Sequence, residues 1–530
     1  MNARPWLALG KPAFAGLCRP AHDRFVAGLK APRETQENLL KDLLSRQEGT
    51  EWGKYLGIHR NLSAEQFRQR IPLTDFDSKS FSTWAEKQRR EPNQAIMVPG
   101  GVRVFESTSG SSGRKKQIPY NRALLASFEN YFKIWVYDWL RHGPKFKSLR
   151  TYLSVSPALR TLGEEDGLLD DTEYLSLPLR FLLRPFLSVP PTLKNAGDLD
   201  RFRDLTCAYL AADAQLELIS VWHPSFLSLL WDHLLKHRPR IAAILRDGKS
   251  FGSGTERAIE ALLSAQAFTP EQLWPELKMI SAWDSANSRF AASQLRALFP
   301  HAQFQGKGLL ATEAPLTLPL LGQDLGGIPL LTEVFFEFRD AEGRLFWIDE
   351  IETGKTYSLV ISQKGGLLRY PMGDLVRVLK SRRENVPALE FLGREGEISD
   401  LVGEKISGTY LRTFEDSLVS HFGFLHHCLL PRFSESELSH YAILFDVANE
   451  RLDLQSSVAR AWEQNLQLSY HYRYARKLGQ LGPVVAKRIP RLRERLIDFY
   501  QQRQGAKMGD IKLKTLITSP VEAGELWAKL

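Results

Sequence analysis

Val102-Arg103-Val104-Phe105-Glu106-Ser107-Thr108-Ser109-Gly110-Ser111-Ser112-Gly113-Arg114-Lys115-Lys116 is the stretch on which the reading of this chain turns. Its start, together with Ile96 and Val98, has the apolar texture of a strand, and Ser107 to Gly113 is a polar, glycine-rich loop. Glycines let a backbone approach a phosphate closely, hydroxyls and amides donate to its oxygens, and the lysines that follow neutralise charge. The loop is not a P-loop, because Gly-x4-Gly-Lys-Ser/Thr is missing. A flexible polar linker is the competing reading.

Working outward, the run Leu124 to Leu140 sets Phe128, Tyr131, Phe132, Trp135 and Trp139 at helical spacing, which predicts a partly buried helix. Tyr131 and Trp135 fit a core stripe, with the wall of a pocket as the second reading. Before the strand, Phe25, Leu29, Leu39, Leu40, Leu43 and Leu44 predict amphipathic helix from Pro20 to about Leu56. Residues 200–300 alternate helical segments with short strands, Leu216 to Val221 and Leu277 to Ala282, as layered α/β structure does. From about Leu318 to Leu379 strand follows strand, separated by Asp-Ala-Glu-Gly and Glu-Thr-Gly-Lys turns, which predicts an antiparallel or barrel-like section. After Gly393 the texture returns to mixed α/β, with long basic helices expected between Ser456 and Arg503. A boundary near Gly393 to Gly396 divides a large domain, 1–392, from a small mobile one, 393–530.

The chain has 530 residues and 43% of them are hydrophobic, enough for more than one core, and 25% are charged, which excludes a disordered or fibrous protein. A net charge of +9 favours anionic partners such as nucleotides and carboxylates without indicating nucleic acid. Three cysteines, Cys18, Cys207 and Cys428, are far apart and form no Cys-x-x-Cys, so neither a disulfide framework nor a zinc knuckle is expected. The apolar run Leu218 to Trp231 is too short to span a bilayer, and the N-terminus lacks a continuous apolar h-region. A cytoplasmic protein with no membrane partner is expected. His233 and His237 lack the glutamate of His-Glu-x-x-His, and His426-His427-Cys428 has no second ligand pair nearby, so neither is expected to bind metal. The basic segment Arg473 to Arg495 is read as a solvated helical face.

Three further constellations are weak singly. Gly308-Leu309-Leu310-Ala311-Thr312-Glu313 ends an apolar stretch on a carboxylate, which suits a metal with phosphate or simply a surface strand end. Leu368-Arg369-Tyr370-Pro371-Met372-Gly373-Asp374 places an Asp after a glycine turn, where it could accept from a ribose diol. Gly393-Arg394-Glu395-Gly396-Glu397 with Gly403-Glu404-Lys405 reads as a hinge with two cations, or as a hairpin.

Their order, loop, then Thr-Glu, then Arg-Tyr-x-x-Gly-Asp, then Gly-Arg and Gly-Glu-Lys, resembles the adenylate-forming enzymes. In particular it resembles the auxin-responsive acyl-acid amido synthetases of the Gretchen Hagen family and their bacterial relatives. Gly49-Thr50-Glu51-Trp52-Gly53, Phe67 to Pro72, Tyr357 to Val378, Phe391 to Lys405 and Gly505 to Lys512 extend the resemblance from about residue 35 to about residue 515. It implies a large adenylate-forming domain of layered α/β sheets with a β-barrel-like section, hinged to a small C-terminal α/β domain. It also implies ATP and Mg²⁺ and a two-step reaction. A carboxylate, such as an aryl, indolyl or fatty acid, attacks the α-phosphate to give acyl-AMP and pyrophosphate; an amine, usually of an amino acid, then displaces AMP.

On this resemblance Ser109, Gly110, Ser111, Ser112, Gly113 and Lys116 cradle the phosphates, Thr312 bonds the α-phosphate and Glu313 holds the metal. Asp374 takes the ribose hydroxyls, Arg394 adds a contact near the hinge, and Lys405 and Lys512 are the cations that reach the adenylate. Two departures from the plant pattern, Pro371-Met372 for Arg-Val, where the proline stiffens the turn and removes a donor, and Ala311-Thr312-Glu313 for Ser-Ser-Glu, which has a bacterial look, spare the metal ligand and the ribose acceptor. A ligase with a thiol acceptor, coenzyme A or a carrier protein, and a catalytically retired nucleotide-binding homologue are the alternatives.

Overall fold

The computed structural model describes the whole chain except residues 1–4, 75–78, 109–115, 155–176, 197, 249–250, 253, 265–268, 286–287, 324–325, 382–385, 396–397, 434–437, 449–452 and 505–514. Two compact units divide it, residues 1–108 with 117–393, and residues 109–116 with 394–530.

The first unit begins with helices α1 (Pro5–Lys30), α2 (Pro32–Gln47), α3 (Glu51–Tyr55), α4 (Ala64–Arg70) and α5 (Lys79–Arg90). The single helix expected from Pro20 to Leu56 is therefore broken twice. Pro32 starts α2 at its first turn, where no backbone donor is lost, and Thr50 caps α3 by accepting from Gly53 N–H at 2.9 Å. A Cβ on Gly53 would lie 2.0 Å from the Gln47 carbonyl, so only glycine fits there. The Gly49–Gly53 motif is thus scaffold, with Trp52 buried and stacked on Tyr55.

Strands β1 (Val104–Thr108) and β2 (Lys116–Tyr120) pair and lead into α6 (Arg122–His142). Asn121 caps α6 at Leu124 N–H (2.8 Å) while its amide donates to the carbonyls of Pro99 and Lys364, each at 2.9 Å. A parallel sheet follows, β3 (Arg150–Leu153), β4 (Leu216–Ser220), β5 (Met279–Ser281) and β6 (Gln303–Gln305), paired in chain order. Its crossovers carry α7 (Leu177–Leu183), α8 (Leu199–Ala212), α9 (Pro224–Lys236), α10 (Arg238–Asp247), α11 (Thr255–Leu263), α12 (Pro270–Leu273) and α13 (Arg289–Leu298). Tyr152, Ile219 and Ile280 bury against these helices, while Leu218 and Met279 point into the core shared with α6. Burial on both faces suits the apolar content of these strands, and Glu217 and Ser220 of β4 are buried with them.

After β7 (Thr317–Leu318) and β8 (Ile328–Pro329) come β9 (Val334–Arg339), β10 (Leu345–Phe346), β11 (Thr356–Gln363), β12 (Tyr370–Leu379) and β13 (Ala388–Arg394). They form an antiparallel sheet in the order β10-β9-β11-β12-β13, with β10 and β13 at its edges. Phe336, Phe338, Leu359, Ile361, Val376 and Val378 face the core that holds α6, and Phe335 faces α2 and α4 across the other side. That is the period of two expected of strands.

The second unit holds β14 (Ile398–Ser399), β15 (Ile406–Ser407), α14 (Gly408–Phe422), β16 (Phe424–Arg432), β17 (His440–Val447), α15 (Leu454–Leu466), α16 (Tyr470–Lys477), β18 (Val485–Arg488), α17 (Leu492–Gln504) and α18 (Pro520–Lys529). Odd residues Leu429, Tyr441, Ile443 and Phe445 bury against α14, α15 and α16, and even residues Cys428, Leu430, Ala442 and Leu444 against α17 and α18. Helices therefore cover both sheet faces. The long basic helices expected between Ser456 and Arg503 correspond to α15, α16 and α17, with β18 between the last two, where Gly479, Gly482 and Pro483 follow α16 and Val485 resumes extended chain.

All three cysteines are free and buried. Among the described residues no helix is long and apolar enough to cross a membrane.

Candidate functional site

Two cavities of the first unit open at the carboxyl ends of the parallel strands, the edge where open α/β sheets bind ligands. The first, about 60 Å³, is lined by Thr151 and Leu153 of β3, Leu218 and Ser220 of β4, and Trp135 and Trp139 of α6. Trp222 and Lys307 complete that wall. The second, about 290 Å³, is polar and is lined by Asp284, Ser285, Arg296, Gln305, Gly306 and Gly308 among others. One segment, Gly306 to Leu309, separates them, since Lys307 belongs to the apolar chamber while Gly306, Gly308 and Leu309 line the polar one. Glycine is required at Gly308, which has φ +64 and where a Cβ would sit 2.7 Å from the Thr317 carbonyl oxygen, while a Cβ on Gly306 would press on the Asp284 carboxylate.

That segment runs on into Thr312 and Glu313. The sequence suggested a carboxylate at a strand end, but the two residues form the tip of a tight reversal. It is closed by Ala311 N–H to the Ala314 carbonyl at 3.2 Å and by an antiparallel bridge between Leu310 and Pro315. Tyr120 at the end of β2 donates its hydroxyl to the Thr312 carbonyl, and Gln363 at the end of β11 donates to the Glu313 carbonyl at 3.2 Å. The structure thus brings the strand after the Ser/Gly loop, the Thr-Glu tip and β11 to one place. Glu313 is buried at the tip. Among the described residues no group of three or more His, Cys, Asp or Glu side chains is placed to hold a metal ion.

Asp374 lies within β12 and not after a turn. The β11–β12 register shifts between Ser358 and Val360, and Gly373 at φ +70 supplies the bulge. Asp374 is buried on the side that carries Tyr370, Val376 and Val378, in step with the alternation along β12. Lys116 opens β2, and Arg394 closes β13. Ser109, Gly110, Ser111, Ser112, Gly113 and Lys512 lie outside the described residues. Neither cavity is walled by Thr312, Glu313 or Asp374.

Lys405 belongs to the second unit, in the hairpin of β14 and β15. Its φ is +48, unusual for a side chain of that size. The loop is built around Glu404, whose carboxylate accepts from Leu401 N–H at 2.7 Å, Val402 N–H at 2.8 Å and the Tyr441 hydroxyl. The Gly-Glu-Lys motif is therefore a hairpin with its glutamate inside. Burial, aided by Asp400, pushes the Glu404 carboxyl up to about 7 against those donors. The folded chain then holds a proton that the unfolded chain releases near 4.5. Its contribution is full below that pH and is lost as pH rises through about 7, on the order of 3 kcal/mol in all. Urea midpoints of the wild type are expected to fall between about pH 5 and about pH 8, and Glu404→Gln to flatten that fall. A midpoint that rises over this range in the wild type would contradict the assignment.

Two of the histidines meet a carboxylate. His233 Nε2 meets Asp204 at 2.8 Å and His427 Nε2 meets Glu415 at 2.6 Å. His233 is half-buried, and burial lowers its pKa. Of the aromatic stripe, Tyr131 is core and donates to the Lys307 carbonyl at 3.0 Å, while Trp135 walls the apolar chamber. Lys307, Ser220 and Trp222 were not singled out by sequence reasoning. The signal available was a lysine set between two glycines just ahead of the apolar run to Thr312.

Comparison with known proteins covers most of the chain. Family models match at residues 21–304 (GH3 family N-terminal domain), 327–394 (GH3 family central domain) and 412–521 (GH3 family C-terminal domain). A human GH3 domain-containing protein is 28% identical over 222 residues, 39% of this chain and 40% of its own length. The match thus spans well under half of that relative. Among solved structures, AtGH3.15 acyl acid amido synthetase in complex with 2,4-DB superposes with TM-score 0.60 at 16% identity, covering 97% of this chain and 96% of that one. A 2-hydroxyisobutyryl-CoA ligase in complex with 2-HIB-AMP and CoA superposes with TM-score 0.53 at 12% identity, covering 92% and 89%. The likeness to these structures is one of fold, and the family models, which together span most of the sequence, settle the descent: the chain belongs to the GH3 family.

Proposed function

We propose that the protein is an ATP-dependent acyl-acid amido synthetase of the adenylate-forming type. One observation carries the reading furthest: a single segment, Gly306 to Leu309, has an apolar chamber on one side and a polar cleft on the other, and leads directly to the Thr312–Glu313 tip. A reaction that joins an apolar acid to a nucleotide needs two such compartments and one meeting point. The acid's carboxylate oxygen attacks the α-phosphorus of ATP, the bond to the β-phosphate oxygen breaks, and pyrophosphate leaves. The nitrogen of an amine then attacks the acyl carbonyl and AMP departs with the bonding electrons.

In this reading Thr312 bonds the α-phosphate, Glu313 holds the Mg²⁺ that accompanies ATP, and Asp374 accepts from the ribose hydroxyls. Ser109, Gly110, Ser111, Ser112, Gly113 and Lys116 are proposed for the phosphates. Arg394, Lys405 and Lys512 are proposed on the resemblance alone, as cations for the adenylate. The 1–392 and 393–530 domains, the second one mobile, belong to the same proposal.

The test is pyrophosphate release from ATP and Mg²⁺ across aryl, indolyl and fatty carboxylates, with and without amino acids. Release that requires one carboxylate and product that requires one amine support the reading. Hydroxamate formed with hydroxylamine, set against thioester formed with coenzyme A, separates an amine from a thiol acceptor. Asp374→Ala is expected to raise the KM for ATP about ten- to a hundredfold, the worth of a hydrogen bond to a charged group. ATP binding without release for any carboxylate would leave a retired homologue.

A further inference from the structure

Gln305 ends β6, next to the segment that separates the two cavities, and is only 6% exposed. Its backbone carbonyl accepts from Ala282 N–H at 3.1 Å, which fixes it against the end of β5. Its side-chain oxygen Oε1 accepts from two indoles, Trp135 Nε1 at 3.2 Å and Trp139 Nε1. Both indoles wall the apolar chamber, and their ring centroids lie 4.4 Å apart. The same amide donates through Nε2 to the Pro319 carbonyl, and Gln305 and Pro319 both line the polar cleft.

A carboxamide is a rigid plane whose oxygen has two lone pairs, and both are used here by the indoles. Neither ring can turn without breaking a bond at Oε1 or rotating the amide away from Pro319. The chain beyond Pro319 is tied to α6 a second time, since Asp138, the neighbour of Trp139, accepts from Leu321 N–H at 2.7 Å. Leu320, Leu321 and Gly322 line the cleft there, with Gly322 at φ +83. An indole that borders a cavity lacks partner atoms on that side, and an apolar body seated in the chamber supplies them. Filling the chamber then fixes both rings, the amide plane and the Pro319 carbonyl, so that the cleft meets its own ligand already in its binding shape.

We infer that Gln305 is a positioning residue that couples the two compartments: through Trp135, Trp139 and Pro319 it transmits occupancy of the apolar chamber by an acid to the polar cleft that takes the nucleoside of ATP. The inference rests on the proposed reading, in which the acid occupies the chamber and the nucleotide the cleft. It makes the two substrates bind cooperatively before any bond between them forms, and the effect is reciprocal, because each ligand changes the affinity of the other by one factor.

The test is isothermal titration calorimetry on the full-length protein with benzoate, phenylacetate and hexanoate, each with and without saturating adenosine. Adenosine has the base and ribose of ATP and no phosphate to repel a carboxylate. For at least one acid, adenosine is expected to raise the affinity about fivefold or more, and that acid to raise the affinity for adenosine by the same factor. Gln305→Met keeps the length of the side chain and removes the amide, and is expected to bring both ratios to within about twofold of unity. Trp139→Phe keeps a ring in the chamber and removes one donor to Oε1. It is expected to lower the ratio in the wild type and to change it no further in the Gln305→Met background. A merely structural role would weaken each ligand alone and leave the ratio as it was. A ratio near unity in the wild type, a ratio that survives Gln305→Met, or no binding of adenosine or of any acid overturns the inference. Should Gln305→Met fail to fold, the wild-type ratio and Trp139→Phe decide, and a ratio unmoved by Trp139→Phe overturns it. Failure of the ligase reading looks different: acid and adenosine bind cooperatively through Gln305, yet no carboxylate supports pyrophosphate release. Carboxylate-dependent release with a wild-type ratio near unity overturns the coupling and spares the ligase.

Discussion

Glu337→Ala is expected to destabilise the first unit by about 3–5 kcal/mol, the cost of breaking a buried ion pair from one side. Glu337, on β9, accepts from Arg369 Nε at 2.8 Å and from a second guanidinium nitrogen of Arg369 at 2.9 Å. It also accepts from Arg68 Nε at 3.2 Å. Arg369 in turn donates to the carbonyls of Arg68 and Ile71, so this one carboxylate ties α4 to the antiparallel sheet. Its removal leaves Arg369 buried without this carboxylate, while Arg68 keeps its stacking over Trp347, the Leu345 carbonyl and the attraction of Glu350. The measurement is the urea midpoint of the transition that reports this unit, with Glu337→Gln as the milder companion. A shift below about 1 kcal/mol would mean the pair is solvated and the tie is weak.

Glu313→Ala is expected to reduce carboxylate-dependent pyrophosphate release on the order of a thousandfold. A metal that neutralises developing phosphate charge supplies several kcal/mol of transition-state stabilisation, and one lost ligand forfeits much of it. Because Glu313 does not wall the apolar chamber, calorimetric binding of the acid is expected to be unchanged. Glu313→Gln should behave like the alanine variant, since it keeps the shape of the tip and removes the charge. Release within tenfold of the wild type in both variants would remove Glu313 from the metal's shell.

Much of the architecture was readable from periodicity. The runs at Leu216 and Leu277 became β4 and β5, and the strands from Val334 to Val378 became one antiparallel sheet, because alternation and apolar-rich segments follow directly from burial on one face or two. Boundaries were less readable. Thr50 and Pro32 divide one expected helix into three, which is a matter of capping and of the Gln47 carbonyl at Gly53, a contact no local pattern announces. Asp374 was visible as a residue, but its bulge arises from the register with β11 and is not encoded beside it.

Sequence by itself determined the family, through the order of motifs along the chain, and the layered α/β class, through hydrophobic period. It also nominated Thr312, Glu313 and Asp374, since residue type limits what can meet phosphate, metal and ribose. Only the tertiary structure decided that Thr312 and Glu313 sit at a reversal held by Tyr120 and Gln363, and that Lys307 turns inward between Trp135 and Trp222. The physical reason is distance along the chain. Ser220, Trp135 and Lys307 come from β4, α6 and the end of β6, and the carboxyl edge of a parallel sheet gathers residues that no spacing in the sequence relates.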